Sequence, residues 1–291
     1  MNISVIVPCF NEEQAIEQTI QELQQATSEF EQCEIIVIND GSHDGTPAVL
    51  QRLSEMTSNL MVMHHAANRG YGASLKTGIR RAKGDWIVIT DADGTYPNHK
   101  IPDLIRLTEH NDMVVGARTG TEVKYPFIRK IPKWFLSRFV AWIAAQPVPD
   151  INSGLRVFRK DLAKQFMHML PDGFSFTTTI TLALLTNNYL VHYEPINYEM
   201  RIGTSKIQPI RDTLRFIQLI FRMGMYFAPL KVFSPLIAIW CVAFMLSTAH
   251  DIYNLENLTD KTLIFLMLFL NTGLFALLAD MIDKRSPREH K

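Results

Sequence analysis

Asp91-Ala92-Asp93 follows the apolar run Trp86–Thr90 and sets two carboxylates one residue apart, where a strand would end. Carboxylates so placed can share a hard divalent cation. A cation held there can bridge the oxygens of a diphosphate and neutralise the charge that grows on it as it leaves. Without a cation the same pair would repel such a ligand. Two polar loops lie upstream, Pro8-Cys9-Phe10-Asn11-Glu12-Glu13 and Asn39-Asp40-Gly41-Ser42-His43-Asp44-Gly45-Thr46. Their carboxylates can accept hydrogen bonds from ribose or base, and their glycines let backbone approach a ligand closely. Taken singly, each loop is equally an Asp/Gly turn that caps a helix. A fourth element is basic. Arg118 follows Val114-Val115-Gly116-Ala117, and Arg129, Lys130, Lys133 and Arg138 come next, interleaved with Trp134, Phe135 and Phe139. Guanidinium forks fit phosphate oxygens and the rings can rest against lipid, which suits a phosphate carried on an apolar molecule. For Lys130 and Lys133 an ordinary solvated loop is an equal reading.

These residues need strands to hold them, and the pattern supplies strands. Ile3–Val7, Glu34–Ile38, Leu60–His64, Trp86–Thr90 and Asp112–Gly116 are short, Val/Ile-rich runs ended by turn residues. Between them Glu12–Thr27, Thr46–Met56, Gly72–Ala82 and Ile101–Glu109 carry apolar residues at three- and four-residue spacing, as amphipathic helices do. The alternation predicts an α/β fold with a mainly parallel, doubly wound sheet, whose ligands bind at the carboxyl ends of the strands.

The last quarter differs. Val232–Ala249 and Leu263–Ile282 are long apolar stretches, near the length that spans a bilayer core of about 30 Å. The linker between them is acidic (Asp251, Glu256, Asp260), whereas Arg215, Arg222 and Lys231 precede the pair and Lys284, Arg285, Arg288 and Lys291 follow it. The positive-inside rule then predicts a multi-pass hairpin in the cell (inner) membrane, with both ends and the catalytic portion cytoplasmic. A buried hairpin in a soluble domain is the alternative. Ile210, Leu214, Ile217, Phe221 and Met225 recur with helical spacing beside Arg211, Arg215 and Arg222, which fits a helix lying in the headgroup layer. The expected divisions are 1–206, a catalytic domain; 207–228, an interfacial helix; 229–283, the hairpin; and 284–291, a basic tail. Met1-Asn2 leads into too short an apolar run for a signal peptide. Lys+Arg and Asp+Glu both total 29, so no nucleic acid is expected as a partner. Cys9, Cys33 and Cys241 are scattered and read as packing residues.

In this order the motifs resemble those of the family 2 inverting glycosyltransferases, in the branch of dolichol-phosphate mannose synthases and polyprenyl-phosphate glucosyltransferases. The resemblance rests on the loops at Pro8 and Asn39, Asn68-Arg69-Gly70-Tyr71-Gly72-Ala73, Asp91-Ala92-Asp93, Gly116-Ala117-Arg118, Ser153-Gly154-Leu155-Arg156 and Arg201-Ile202-Gly203-Thr204-Ser205-Lys206. It implies a GT-A fold, a UDP- or GDP-linked sugar donor, Mg²⁺ or Mn²⁺, and inverting transfer of a hexose to a polyprenyl phosphate on the cytoplasmic leaflet. Pro8, Phe10, Glu12 and Asp40 would hold the nucleoside. Asp91 and Asp93, on either side of Ala92, would hold the metal, and Arg201 and Lys206 would close on the donor diphosphate. Arg118 and Arg129 would seat the acceptor phosphate, in a pocket lined by Ser153 and Arg156. Asp93, Arg118 and Arg129 would then carry catalysis. Phe10 stands where many relatives have tyrosine, and Thr95 where dolichol-type enzymes often have a metal-binding glutamine. Another lipid or glycan acceptor, or a non-catalytic nucleotide-sugar-binding scaffold, are the alternatives. Association with further copies of the chain is left open.

Overall fold

The computed structural model describes residues 1–119, 138–173, 175–198, 218, 221–222, 224–226, 228–255 and 257–285. The chain divides into two units, Met1–Pro209 and Ile210–Lys291.

In the first unit strands β1 (Ile3–Cys9), β2 (Cys33–Asn39), β3 (Leu60–His64), β4 (Trp86–Ile89), β5 (Met113–Ala117), β6 (Arg156–Arg159) and β7 (Val191–Pro195) form one sheet in the order β3-β2-β1-β4-β6-β5-β7. Every residue of β1 is buried. A strand covered on both faces needs a continuous apolar run, which Ile-Ser-Val-Ile-Val-Pro-Cys nearly is. β1 pairs in parallel with β2 (Ile6↔Ile36) and with β4 (Ile6↔Ile89), so the carboxyl ends of the three reach one edge together. Helices α1 (Ile16–Thr27), α2 (Thr46–Met56) and α3 (Tyr71–Arg81) make the crossovers. Ile16, Thr19, Ile20, Leu23 and Thr27 bury one stripe of α1, the expected amphipathic pattern. After β4 a 3₁₀ turn at Asn98–Lys100 leads into α4 (Ile101–Arg106).

Helix α1 starts at Ile16 rather than Glu12. Asn11 takes φ 54°, and Glu12 donates its N–H to Thr46 Oγ1 at 2.9 Å, so the intervening residues form a turn instead. The sheet is mainly parallel, as expected, with one strand reversed. β6 lies antiparallel between β4 and β5, and β7 extends the sheet in parallel beside β5. Helices α5 (Lys160–Gln165) and α6 (Phe176–Thr186) complete the unit.

The second unit is a helical pair, α7 (Pro229–Asn254) and α8 (Asp260–Arg285), longer at the first helix than Val232–Ala249. Both are long and apolar enough to cross a membrane. Asp251 explains the extension: it is fully buried and accepts hydrogen bonds from Thr259 N–H (2.8 Å), Thr259 Oγ1 (2.6 Å) and Thr262 Oγ1 (2.7 Å). It thereby satisfies the amide before α8 that the helix itself leaves open. Trp240 stacks on Phe265 at 6.3 Å, and Ser247 meets Thr262 at 2.5 Å. Ile210, Arg211, Leu214, Arg215 and Ile217 of the expected interfacial helix, and tail residues 286–291, lie outside the described residues.

Candidate active site

The loops after β1 and β2 are laced into one ledge. Asn11 N–H donates to Ser42 Oγ (2.9 Å), His43 N–H to Asn11 Oδ1 (2.8 Å) and Gly45 N–H to Glu13 Oε2 (2.7 Å). Pro8 is buried, Phe10 and Glu12 are half-buried, and the Phe10 ring meets His43 edge-on at 6.3 Å. At the end of β2 Asp40 is buried. Its carboxylate accepts the N–H groups of Arg69 (2.9 Å) and Gly70 (2.8 Å) and faces His65 Nδ1 at 2.6 Å. A carboxylate offers about four lone-pair directions, so roughly one remains for a ligand. Facing a carboxylate, His65 Nδ1 carries the hydrogen, and Nε2 meets Thr77 Oγ1 at 3.0 Å. Asp40 thus fastens β2 to the start of α3.

That start also reaches the carboxylate pair. Tyr71 Oη donates to Asp91 Oδ1 at 3.1 Å. Burial, then the charge of Asp91, raise the Tyr71 pKa well above the ordinary value, so the phenol stays a donor at working pH. Asp93 is also buried, and Thr95 gives it both a backbone N–H (3.2 Å) and a hydroxyl (2.6 Å), each to Oδ1. Thr95 therefore orients Asp93. Ala92 is buried between them. Gly154 packs on the other side: a Cβ there would stand 2.8 Å from Asp91 Oδ2 and 2.9 Å from Oδ1. Among the described residues no third His, Cys, Asp or Glu joins a metal-binding group. Two fixed carboxylates still fit Mg²⁺ or Mn²⁺, since such ions are commonly held by one or two carboxylates plus substrate phosphates.

Arg118 follows β5 and is half-buried. Asp150 holds it through Nε (2.7 Å), Nη2 (3.0 Å) and the Arg118 backbone N–H (3.1 Å). Its guanidinium lies 5.3 Å from the centre of the Tyr198 ring, which packs edge-on to Tyr96 at 5.2 Å. Tyr96 Oη in turn accepts the Gly154 N–H at 2.6 Å. One chain of contacts therefore joins the basic residue to the carboxylate pair.

Ser153 and Arg156 both sit at the turn into β6. Ser153 is buried and donates to Gly116 O at 2.5 Å. Arg156 is fully buried, and its N–H groups go to Ser153 O, Ile151 O, Thr177 O (3.0 Å) and Thr181 Oγ1 (2.8 Å). With its donors met by protein oxygens, Arg156 braces the turn that presents Gly154. Arg129, Arg201 and Lys206 lie outside the described residues, as do Lys130, Lys133, Trp134 and Phe135. Sequence reasoning passed over Asp150, His65 and the Tyr71 hydroxyl. The one signal for Asp150 was an acid beside Pro149, shortly before the Ser153-Gly154 turn.

A family model described as Glycosyl transferase family 2 matches residues 4–167. A low-salt glycan biosynthesis hexosyltransferase of Haloferax volcanii is 26% identical over 222 residues, covering 74% of this chain and 52% of that protein. A dolichyl-phosphate beta-glucosyltransferase of Trichomonas vaginalis is 32% identical over 181 residues, covering 56% and 54%. The chain thus spans about half the length of these two. An undecaprenyl-phosphate mannosyltransferase of Micrococcus luteus is 26% identical over 217 residues, covering 71% and 88%. Among solved structures, glucosyl-3-phosphoglycerate synthase from Mycobacterium tuberculosis with uridine diphosphate superposes with a TM-score of 0.59 at 18% identity, over 76% of this chain and 79% of that one. That likeness carries the fold, GT-A.

Proposed function

The chain belongs to glycosyl transferase family 2, and on that premise we propose that it moves a hexose, with inversion, from a UDP- or GDP-linked donor to a polyprenyl phosphate. The transfer takes place at the cytoplasmic leaflet of the cell membrane. The observation that carries this reading is the joining of Asp91 and Asp93 to Arg118 through Gly154, Tyr96 and Tyr198, in a chain that also has two helices of membrane-spanning length. Relatives whose names state transfer to dolichyl or undecaprenyl phosphate support the acceptor class.

Asp91 and Asp93 would hold Mg²⁺ or Mn²⁺, which when bound supplies Lewis-acid neutralisation of the departing diphosphate. Tyr71, Thr95 and the bare Cα of Gly154 keep the two carboxylates in place. The ledge of Pro8, Phe10, Glu12 and Asp40 receives the nucleoside, and Arg201 and Lys206 close on the diphosphate. Arg118 takes the acceptor phosphate: Asp150 occupies its Nε and Nη2, leaving the Nη1 side, among the described residues, for a second anion. Because that ion pair is neutral as a unit, a phosphate bearing about 1.5–2 negative charges needs a further cation. Arg129 fills that need in this reading. The phosphate is already ionised at neutral pH, so no protein base is required; the chain's part is to align it behind the anomeric carbon.

The test is to incubate membranes with a panel of nucleotide-sugars and undecaprenyl phosphate and weigh the lipid product. One donor should yield polyprenyl-phosphate-hexose. Asp91→Asn and Asp93→Asn should each lose about a hundredfold or more, since the metal supplies several kcal/mol, with thermal unfolding near the parent's. Full activity in EDTA, or in either variant, refutes the metal assignment.

A further inference from the structure

Asn271 is the middle residue of the span Asp260–Ile282, roughly 17 Å from either end at 1.5 Å per residue. Its side chain is exposed, and its amide makes no hydrogen bond among the described residues. The packing of α8 against α7 uses another side of the helix, where Thr262 bonds Ser247, Phe265 stacks on Trp240 and Ala276 is fully buried. A carboxamide with two donors and an acceptor cannot be satisfied by hydrocarbon, so a polar group at mid-span points to a protein partner.

The spacing around Asn271 says what kind. Ile264, Met267, Asn271, Leu274, Leu278 and Met281 recur at alternating intervals of three and four, the seam of a left-handed helix pair. The five apolar members stay 46–61% exposed in the hairpin, so α7 does not cover them. Copies of one chain insert in one orientation, so two α8 helices meet in parallel and bring position 271 opposite itself. There the amide carbonyl of one copy accepts an N–H of the other, and a slip of one turn would forfeit that bond. We infer that copies of this chain associate in the membrane through the α8 seam, with Asn271 hydrogen-bonded to its counterpart at the bilayer centre.

The inference rests on the hairpin's crossing the bilayer, which carbonate extraction tests separately: a chain released from membranes defeats the spanning reading and the contact with it. With the chain retained, the full-length protein carrying Cys241→Ser is given one further cysteine, Leu274→Cys on the seam or Leu246→Cys on α7, where Leu246 is 68% exposed. Oxidation in membranes with copper phenanthroline should link two copies through position 274, and neither through 246 nor in the Cys241→Ser parent. Adding Asn271→Leu should cut the 274 yield about tenfold, while Asn271→Gln retains most of it. Equal linking at 246 and 274, a yield indifferent to Asn271→Leu, or a product joining this chain to a different protein would each overturn the proposal.

Discussion

Arg118 has a side chain only 21% exposed and is held in an ion pair by Asp150. Burial alone would lower its pKa, but the hydrogen bonds and charge of Asp150 outweigh burial and raise it. For Asp150 burial raises the pKa, and Arg118 outweighs that and brings it below the ordinary value. A carboxyl so depressed contributes stability above its unfolded pKa of about 3.9, lost only as pH falls through the lower folded value. The pair is therefore intact across the working range. In the proposed transfer the group that titrates there is the acceptor phosphate, whose second pKa is about 6. Transfer should be flat above roughly pH 7 and fall toward a tenfold drop per unit below about 6. An Asp150→Asn chain should keep that profile at reduced height; a shifted midpoint would assign the ionisation to the protein. If Arg118 holds the acceptor phosphate, Arg118→Ala removes a charge-assisted contact of about 1.5–3 kcal/mol, a ten- to hundredfold loss in transfer, with donor affinity by calorimetry nearly unchanged. Lysine at 118 restores charge without the fork and should rescue in part. Lost donor binding with acceptor affinity kept would place the phosphate elsewhere. The Asp91/Asp93 pairing was readable as a motif because the two carboxylates lie two residues apart in the chain. The Arg118 fork was not, since its carboxylate lies 32 residues away and nothing periodic links the two.

Strands and turns decide how closely the site's residues can approach. Gly154 sits on the turn before β6, and a methyl there would press on the Asp91 carboxylate at 2.8–2.9 Å. Gly72, in the first turn of α3, would instead drive a Cβ to 2.1 Å from the Pro171 carbonyl oxygen, which is backbone. The two should fail differently. Gly154→Ala is expected to lose at least about tenfold in activity with little change in thermal unfolding, because a side chain can yield. Gly72→Ala is expected to cost about 1–3 kcal/mol as backbone is displaced, and to lower the melting temperature. Matching losses of activity and stability in both would show that Gly154 serves packing alone. At this scale the sequence was clearest where local patterns sufficed: α2 and β3 have the bounds their patterns predict. β6 escaped because Arg-Val-Phe-Arg is four residues with charged ends, and one of those arginines is buried. α6 escaped because ten of its eleven residues are buried, which leaves no amphipathic period to read.

For the whole chain, the proposed topology places the acidic linker outside and both flanks inside. A cysteine at Asn257 should react with an impermeant thiol reagent on intact cells, and one at Lys291 should not. Labelling of both, or of the tail alone, would reverse or abolish the two-span arrangement. The two long apolar helices were legible because length and apolarity survive without tertiary knowledge; their ends were not, since Asp251 lets helix continue into polar residues. The antiparallel insertion of β6 has a consequence for the order in which the molecule can be made. β1 through β4 find every parallel partner among one another, so a four-stranded sheet is available once residue 89 has emerged. β5 pairs only with β6 and β7, both later in the chain. At about 5–20 residues per second of synthesis, its unpaired N–H and C=O groups wait on the order of seconds for residue 156. During that interval the ribosome carries a half-built sheet with an unclaimed strand, the species on which a chaperone would act or an aggregate would start.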